Sequence, residues 1–113
     1  MQKPSCSYKI LHQNRIGMVY LCTKCRNLKV EIGTILALVS RKSFRLILAD
    51  FKDRQSFIHG NREVFHTDEK MYICLNKQNL FLSLTANEMD DVIDLFEVSN
   101  HMLAVEEIIR EEL

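Results

Sequence analysis

Apolar and polar positions alternate with a period near two up to Val39, then switch to a period near 3.6 at Ser40, and the same switch recurs at Thr85. Residues 8–12 and 16–22 read as two strands joined by a Gln13-Asn14-Arg15 turn. Leu28, Val30 and Ile32 alternate with Lys29 and Glu31, the pattern of a half-buried strand, and Gly33-Thr34 suits a two-residue hairpin turn. Ile35–Val39 is apolar throughout, which predicts a central strand. Ser40 is placed as an N-cap, and Phe44, Ile47, Leu48 and Phe51 follow at helical spacing, predicting a helix that ends near Arg54. His59-Gly60-Asn61 is a turn signal, and strands are expected at 63–67, 71–75 and 80–84. Thr85 with Glu88 forms a capping box ahead of a second helix with Met89, Val92, Ile93 and Phe96 on one face.

These elements predict one α+β domain over residues 1–113: a mostly antiparallel sheet with two or three helices on one face. The halves match at a lag of 45, with Ser40 over Thr85, Phe44, Ile47, Leu48 and Phe51 over Met89, Val92, Ile93 and Phe96, and Leu28 and Val30 over Ile73 and Leu75. The pattern fits a duplicated β-β-β-α unit at 18–54 and 63–99 with a helical tail at 100–113, although any sheet-plus-helix chain has the same periodicity. In the tail, Leu95, Val98, Met102, Val105 and Ile109 recur at alternating spacings of three and four, and Ser99-Asn100 is a candidate break. That stripe serves either a helix laid on its own core or a seam for a protein partner or homodimer.

Composition narrows the picture. The 113 residues are 47% hydrophobic and 27% charged, an ordinary globular balance. A polar start and no apolar run long enough to span a bilayer lead to the expectation of a soluble, cytoplasmic protein with no membrane contact. The zero net charge hides a polarity: residues 1–54 hold eleven Lys/Arg and three acids, and residues 55–113 hold four and twelve. Either the basic half presents a surface to nucleic acid, or the two halves attract each other. Arg41, Lys42 and Arg45 lie in the first turns of one predicted helix, and Glu107, Glu111 and Glu112 in the last turns of the other. Both placements oppose the helix dipole, so the two ends either meet or engage an outside ligand, with Arg41, Lys42 and Arg45 as the candidate basic surface.

Candidate chemistry is confined to the cysteines. Cys22 and Cys25 form a Cys-x-x-Cys turn between strands. A three-residue hairpin loop would pair His12 with Ile16 and set Cys6 opposite Cys22, and a two-residue turn would set it opposite Thr23, either way giving a third sulfur; His12 itself lies some 20 Å along the strand, too far to share an ion. A structural zinc on Cys6, Cys22 and Cys25 would need a fourth ligand, for which Cys74 and His66 are candidates, with His59 and His101 dependent on the fold. Plain thiols and a thiol-dependent redox role are the alternatives, the latter disfavoured because redox pairs sit at helix starts. Asp90, Asp91 and Asp94 are expected on a solvated helix face, and Tyr20, Tyr72 and Phe81 are candidates for stacking nucleobases. No catalytic triad or phosphate-binding glycine loop is present.

Cys6, Lys9, Leu11, Gly17, Cys22-x-x-Cys25, Leu28 and the run Glu31-Ile32-Gly33-Thr34-Ile35 resemble the N-terminal pattern of a family of small uncharacterised bacterial proteins. In that family the last run more often reads Phe-Gly-Asn followed by an aliphatic residue. The resemblance covers the first third of the chain and implies no activity, only that Cys6, Cys22 and Cys25 belong together. The functional expectation is a small non-enzymatic interaction or regulatory protein with a structural zinc. A nucleic-acid-binding module is the second expectation and a thiol redox protein the third.

Overall fold

Turn chemistry and helix caps fix the order of elements. The computed structural model describes residues 7–60, 71–74 and 81–112. Strands β1 (Tyr8–Gln13), β2 (Gly17–Cys22), β3 (Leu28–Ile32) and β4 (Ile35–Val39) lead into helix α1 (Arg41–Gly60). Strands β5 (Met71–Cys74) and β6 (Phe81–Leu84) lead into helix α2 (Ala86–Glu112). The fold is α+β, with an antiparallel sheet in the order β1-β2-β3-β4 and β5-β6 as a separate antiparallel pair. No described helix is long and apolar enough to cross a membrane.

The hairpins are set by local chemistry. Gly33 takes a left-handed φ of 60° at the first turn position, while Thr34 does not, as a two-residue turn with Gly leading requires. At the β1–β2 turn, Asn14 Oδ1 accepts from the backbone N–H groups of Ile16 (3.0 Å) and Gly17 (3.3 Å), and Asn14 N–H donates to Gly17 O. This side-chain cap lengthens the loop beyond the expected three residues, so that Gln13 pairs with Met18. An extra residue, Leu11, then shifts the register between Ile10 and His12, and Tyr8 lies opposite Cys22. The expected Cys6–Cys22 pairing is thereby displaced by two residues. The bulge sends both buried Leu11 and half-buried His12 to the face covered by α2, where His12 meets Asp94.

One face of the four-stranded sheet is the core. Leu11, Val19, Leu21, Leu28, Val30, Ile32, Ala37 and Val39 pack with Phe44, Ile47, Leu48 and Phe51 of α1 and Met89, Val92, Ile93, Leu95, Phe96 and Leu103 of α2. Phe96 stacks on Phe44 with centroids 4.5 Å apart and meets Phe51 edge-on at 5.1 Å. The other face carries Tyr8, Ile10, Leu36 and Leu38, all exposed. There Lys29 Nζ lies 4.3 Å from the centroids of both Tyr8 and Tyr20. Among the described strands Ile35–Val39 lies at the edge of the sheet and not centrally, with Ala37 and Val39 on the core side and Leu36 and Leu38 exposed.

The helices start where the caps predict. Ser40 Oγ accepts from Ser43 N–H (3.1 Å). Thr85 Oγ1 accepts from Glu88 N–H (3.2 Å) while Glu88 Oε1 accepts from Thr85 N–H (2.9 Å), completing the capping box. The strand–cap–helix portions of the two halves coincide at the lag of 45: Ala37 and Val39 over Leu82 and Leu84, and Phe44, Ile47, Leu48 and Phe51 over Met89, Val92, Ile93 and Phe96 are all buried. The preceding strands do not coincide. Val39 pairs with Leu28 but Leu84 pairs with Met71, so the longer β5–β6 connection moves the register by two. The strand expected at 63–67 lies outside the described residues. Helix α1 passes Arg54 and ends at Gly60, and α2 continues unbroken through Ser99, which is buried, and Asn100. Along the stripe proposed as a seam, Leu95 belongs to the core, whereas Met102 and Ile109 are exposed.

The charge polarity resolves inside the molecule. Lys9 pairs with Glu106, His12 with Asp94, Arg15 with Asp91, Arg41 and Arg45 with Glu107, and Lys52 with Glu97, each joining the basic half to the acidic half. Asp91 O also accepts from Asn14 Nδ2 at 2.8 Å, and Asp90 accepts from Gln55. The aspartates of α2 thus latch the β1–β2 turn and α1 instead of forming a merely solvated face. Hydrogen bonds from Asn14 and then His12 hold the Asp94 carboxyl below its ordinary range.

Two glycines separate backbone strain from steric clash. A Cβ on Gly33 would meet nothing within 4 Å, whereas one on Gly17 would lie 2.0 Å from Glu31 O. Gly33→Ala should therefore lower unfolding free energy by about 1 kcal/mol through φ alone. Gly17→Ala should cost more, roughly 3 kcal/mol or above, because β2 and β3 must separate. Urea denaturation of both variants checks the order; equal losses would contradict it.

Candidate functional site

The β2–β3 connection is a tight turn built on Cys22. Cys22 is buried at the end of β2, and Cys25 is exposed. Cys22 N–H donates to Asn27 O (2.9 Å), Arg26 N–H donates to Cys22 O (3.0 Å), and Cys25 N–H donates to Cys22 Sγ (3.4 Å). Thr23 N–H and its hydroxyl both donate to Ser7 O, at 2.8 and 3.0 Å. Closing this turn forces Arg26 to a φ of 67°, the only positive φ at a non-glycine position among the described residues. For a residue with a side chain that conformation costs about 1 kcal/mol or more.

The strained turn aims Arg26 at the start of α1. Cys25, Arg26 and Asn27 from the turn, with Ser40, Arg41, Lys42, Arg45 and Leu46 from the cap and first turns of α1, line a cleft of about 630 Å³. A neighbouring cavity of about 530 Å³ shares Arg26 and Arg41 and adds Glu107 and Arg110 from the end of α2. Five cations and one carboxylate thus converge from three elements. No acidic residue occupies the first turn of α1, so the positive end of its dipole adds to the field.

Glu107 bridges Arg41 and Arg45. Its Oε1 accepts from Arg41 Nη1 (3.2 Å) and Arg45 Nη2 (3.1 Å), its Oε2 accepts from Arg45 Nη2 (3.3 Å), and Arg45 Nε donates to Asn100 Oδ1 (3.2 Å). The two helix ends that oppose their own dipoles therefore meet, and each offsets the other. Arg26 is different: its Nη2 is buried and has no hydrogen-bond partner among the described residues. A buried donor without an acceptor costs roughly 1–3 kcal/mol, and more for a charged group. Lys42 is exposed and forms no ion pair among the described residues. Strain and an unsatisfied cation coincide at one residue.

The structure thus joins two candidates that are far apart in sequence, the Cys22–Cys25 turn and the Arg41, Lys42 and Arg45 surface. It adds Arg26 and Arg110, which no local motif marks. Cys74 ends β5 in the separate two-stranded sheet, and His101 is an exposed residue of α2. Cys6 and His66 lie outside the described residues, and the side chain of His59 is likewise not described. No group of three His, Cys, Asp or Glu among the described residues could hold a metal ion. Of the candidate stacking residues, Tyr20 lies on the four-stranded sheet and Tyr72 and Phe81 on the two-stranded one. No family model matches this chain, and neither does any curated protein or solved structure.

Arg26→Gly should separate stability from recognition. Glycine takes the left-handed φ without strain and removes the unpaired guanidinium, so the variant should unfold at higher denaturant, with a gain of about 1 kcal/mol. Chemical denaturation measures this; a loss of stability would show that the guanidinium supports the fold.

Proposed function

We propose that this protein is a small, non-enzymatic binding module that recognises an anionic group of its ligand in the cleft between the Cys22–Cys25 turn and α1. The buried Nη2 of Arg26, without a partner among the described residues, carries this reading. A native fold retains a strained residue with an unsatisfied charge where function requires it. An oxyanion bound beside Arg26 and Lys42 would satisfy that nitrogen and the exposed start of α1 together.

The size of the cleft favours a compact anion over a nucleic-acid strand. Nucleic-acid binding of useful strength draws on roughly 6–10 phosphate contacts along a track. Here Lys9, Arg15, Arg41, Arg45 and Lys52 are each paired with an acid of the other half. The remaining cations near the cleft suit one or two phosphate-like groups.

Calorimetric titration with pyrophosphate should give salt-sensitive binding to the intact protein, weakened at least tenfold by Lys42→Glu. Absence of heat and of any thermal stabilisation at low salt would remove this reading. A random single-stranded RNA bound with a salt slope steeper than about four phosphates' worth would instead favour the nucleic-acid module.

A second reading concerns the turn itself. Cys25 N–H donating to Cys22 Sγ is the kind of support that outer-shell donors give to a metal-bound sulfur. On that ground we infer a structural zinc with Cys22 and Cys25 as two ligands and Cys6 as the third, its remaining ligand coming from Cys74 or His66. Elemental analysis after metal-replete expression should find one zinc per chain, reduced in Cys25→Ser; a substoichiometric trace in the intact protein would exclude it.

A further inference from the structure

We propose that Glu107 is a built-in stand-in for the ligand, and that the cleft takes a small phosphate monoester whose phosphate displaces the Glu107 carboxylate from Arg41 and Arg45. This rests on the cleft being the binding site and adds the chemical class of the ligand and a means of control.

The Arg41–Arg45 pair already binds an oxyanion. It donates three hydrogen bonds of 3.1–3.3 Å to the two oxygens of Glu107, the charge-assisted geometry by which arginines grip carboxylate and phosphate alike. A phosphate monoester presents three such oxygens and close to two charges, and could bridge this pair to Arg26 and Lys42. Among the described residues the carboxylate leaves the lining charges unbalanced, with Arg26, Lys42 and Arg110 in excess. Among the described residues Arg26 Nη2 remains without an acceptor, although Glu107 borders the same cavity. One carboxylate fixed to a helix cannot reach every donor, whereas a free dianion can settle among them.

Glu107 is also suited to let go. It lies near the C-terminal end of α2, where the helix dipole disfavours a negative charge, and its side chain is 30% exposed. Released, it passes into water without leaving a buried charge behind. A cleft of about 630 Å³ accommodates a small organic phosphate and is too small for a duplex. The carboxylate therefore sets a threshold: ligand must outcompete an intramolecular anion, and binding loosens the tie between the end of α2 and the start of α1.

The test uses adenosine 5′-monophosphate and inorganic phosphate as probes, with adenosine as the control that lacks the charge. Calorimetric titration of the full chain and of Glu107→Gln is compared at one ionic strength. Both phosphate probes should bind Glu107→Gln at least fivefold more tightly than the intact protein, and adenosine should bind neither. Equal or weaker binding by a folded Glu107→Gln would overturn the stand-in while leaving an anion-binding cleft in place. Pyrophosphate binding without binding of either phosphate probe, or binding of adenosine as tight as its monophosphate, would overturn the phosphate-monoester assignment alone. No binding of any anion by either protein would remove both. Arginine side-chain Nε–H resonances supply a readout that needs no variant. In the intact protein those of Arg41, Arg45 and Arg26 should move together on adding phosphate, and movement of none of them would overturn the proposal.

Discussion

Phe96 is the contact from which the rest of the arrangement follows. It is held face to face by Phe44 and edge-on by Phe51, one and three turns into α1, and all three rings are fully buried. That grip lays α1 and α2 side by side in opposite directions. The pairings at their surfaces run in the same order: Arg41 and Arg45 reach Glu107, Lys52 reaches Glu97, and Gln55 reaches Asp90. With the helices locked, their common apolar side covers one face of a four-stranded sheet, and that burial is the dominant favourable term in such a fold.

The ion pairs act on orientation more than on stability. Most involve side chains about a third or more exposed, where a single pair is worth about 0–1 kcal/mol. Their common feature is sign. Cations of the first half meet acids of the second, so α2 is attracted to both the β1–β2 turn and α1. Five of the eleven cations of the first half are paired in this way among the described residues. Of the others, Arg26 and Lys42 lie where the β2–β3 turn, the start of α1 and the end of α2 converge.

At that convergence the molecule departs from what stability alone would select. Glycine would fit the left-handed position after Cys25 without strain, yet arginine stands there with a buried nitrogen lacking an acceptor among the described residues. Two basic residues open α1 where acids would stabilise it, and a glutamate near the end of α2 compensates them in part. These locally unfavourable choices converge on one cleft, whose lining includes neither Leu36 nor Leu38 of the sheet's exposed apolar residues.

Sequence by itself determined the elements that depend on neighbours along the chain. The caps at Ser40 and Thr85, the hairpin at Gly33-Thr34 and the buried helix faces are all short-range, and they stand as their patterns imply. What sequence did not carry was register and adjacency. Asn14 lengthens its turn and Leu11 bulges, and those two local events move Cys22 from a Cys6 partner to Tyr8. Ile35–Val39 looks central because apolar residues fill both its faces, but being at an edge depends on which strands come next in space. The cleft was half legible: Arg41, Lys42 and Arg45 are visible as charges out of place on a helix, whereas Arg26 and Arg110 join them only when the turn, α1 and α2 are folded together. Tertiary structure decided the cleft because hydrogen bonding between strands and packing between helices, not spacing along the chain, bring those cations together.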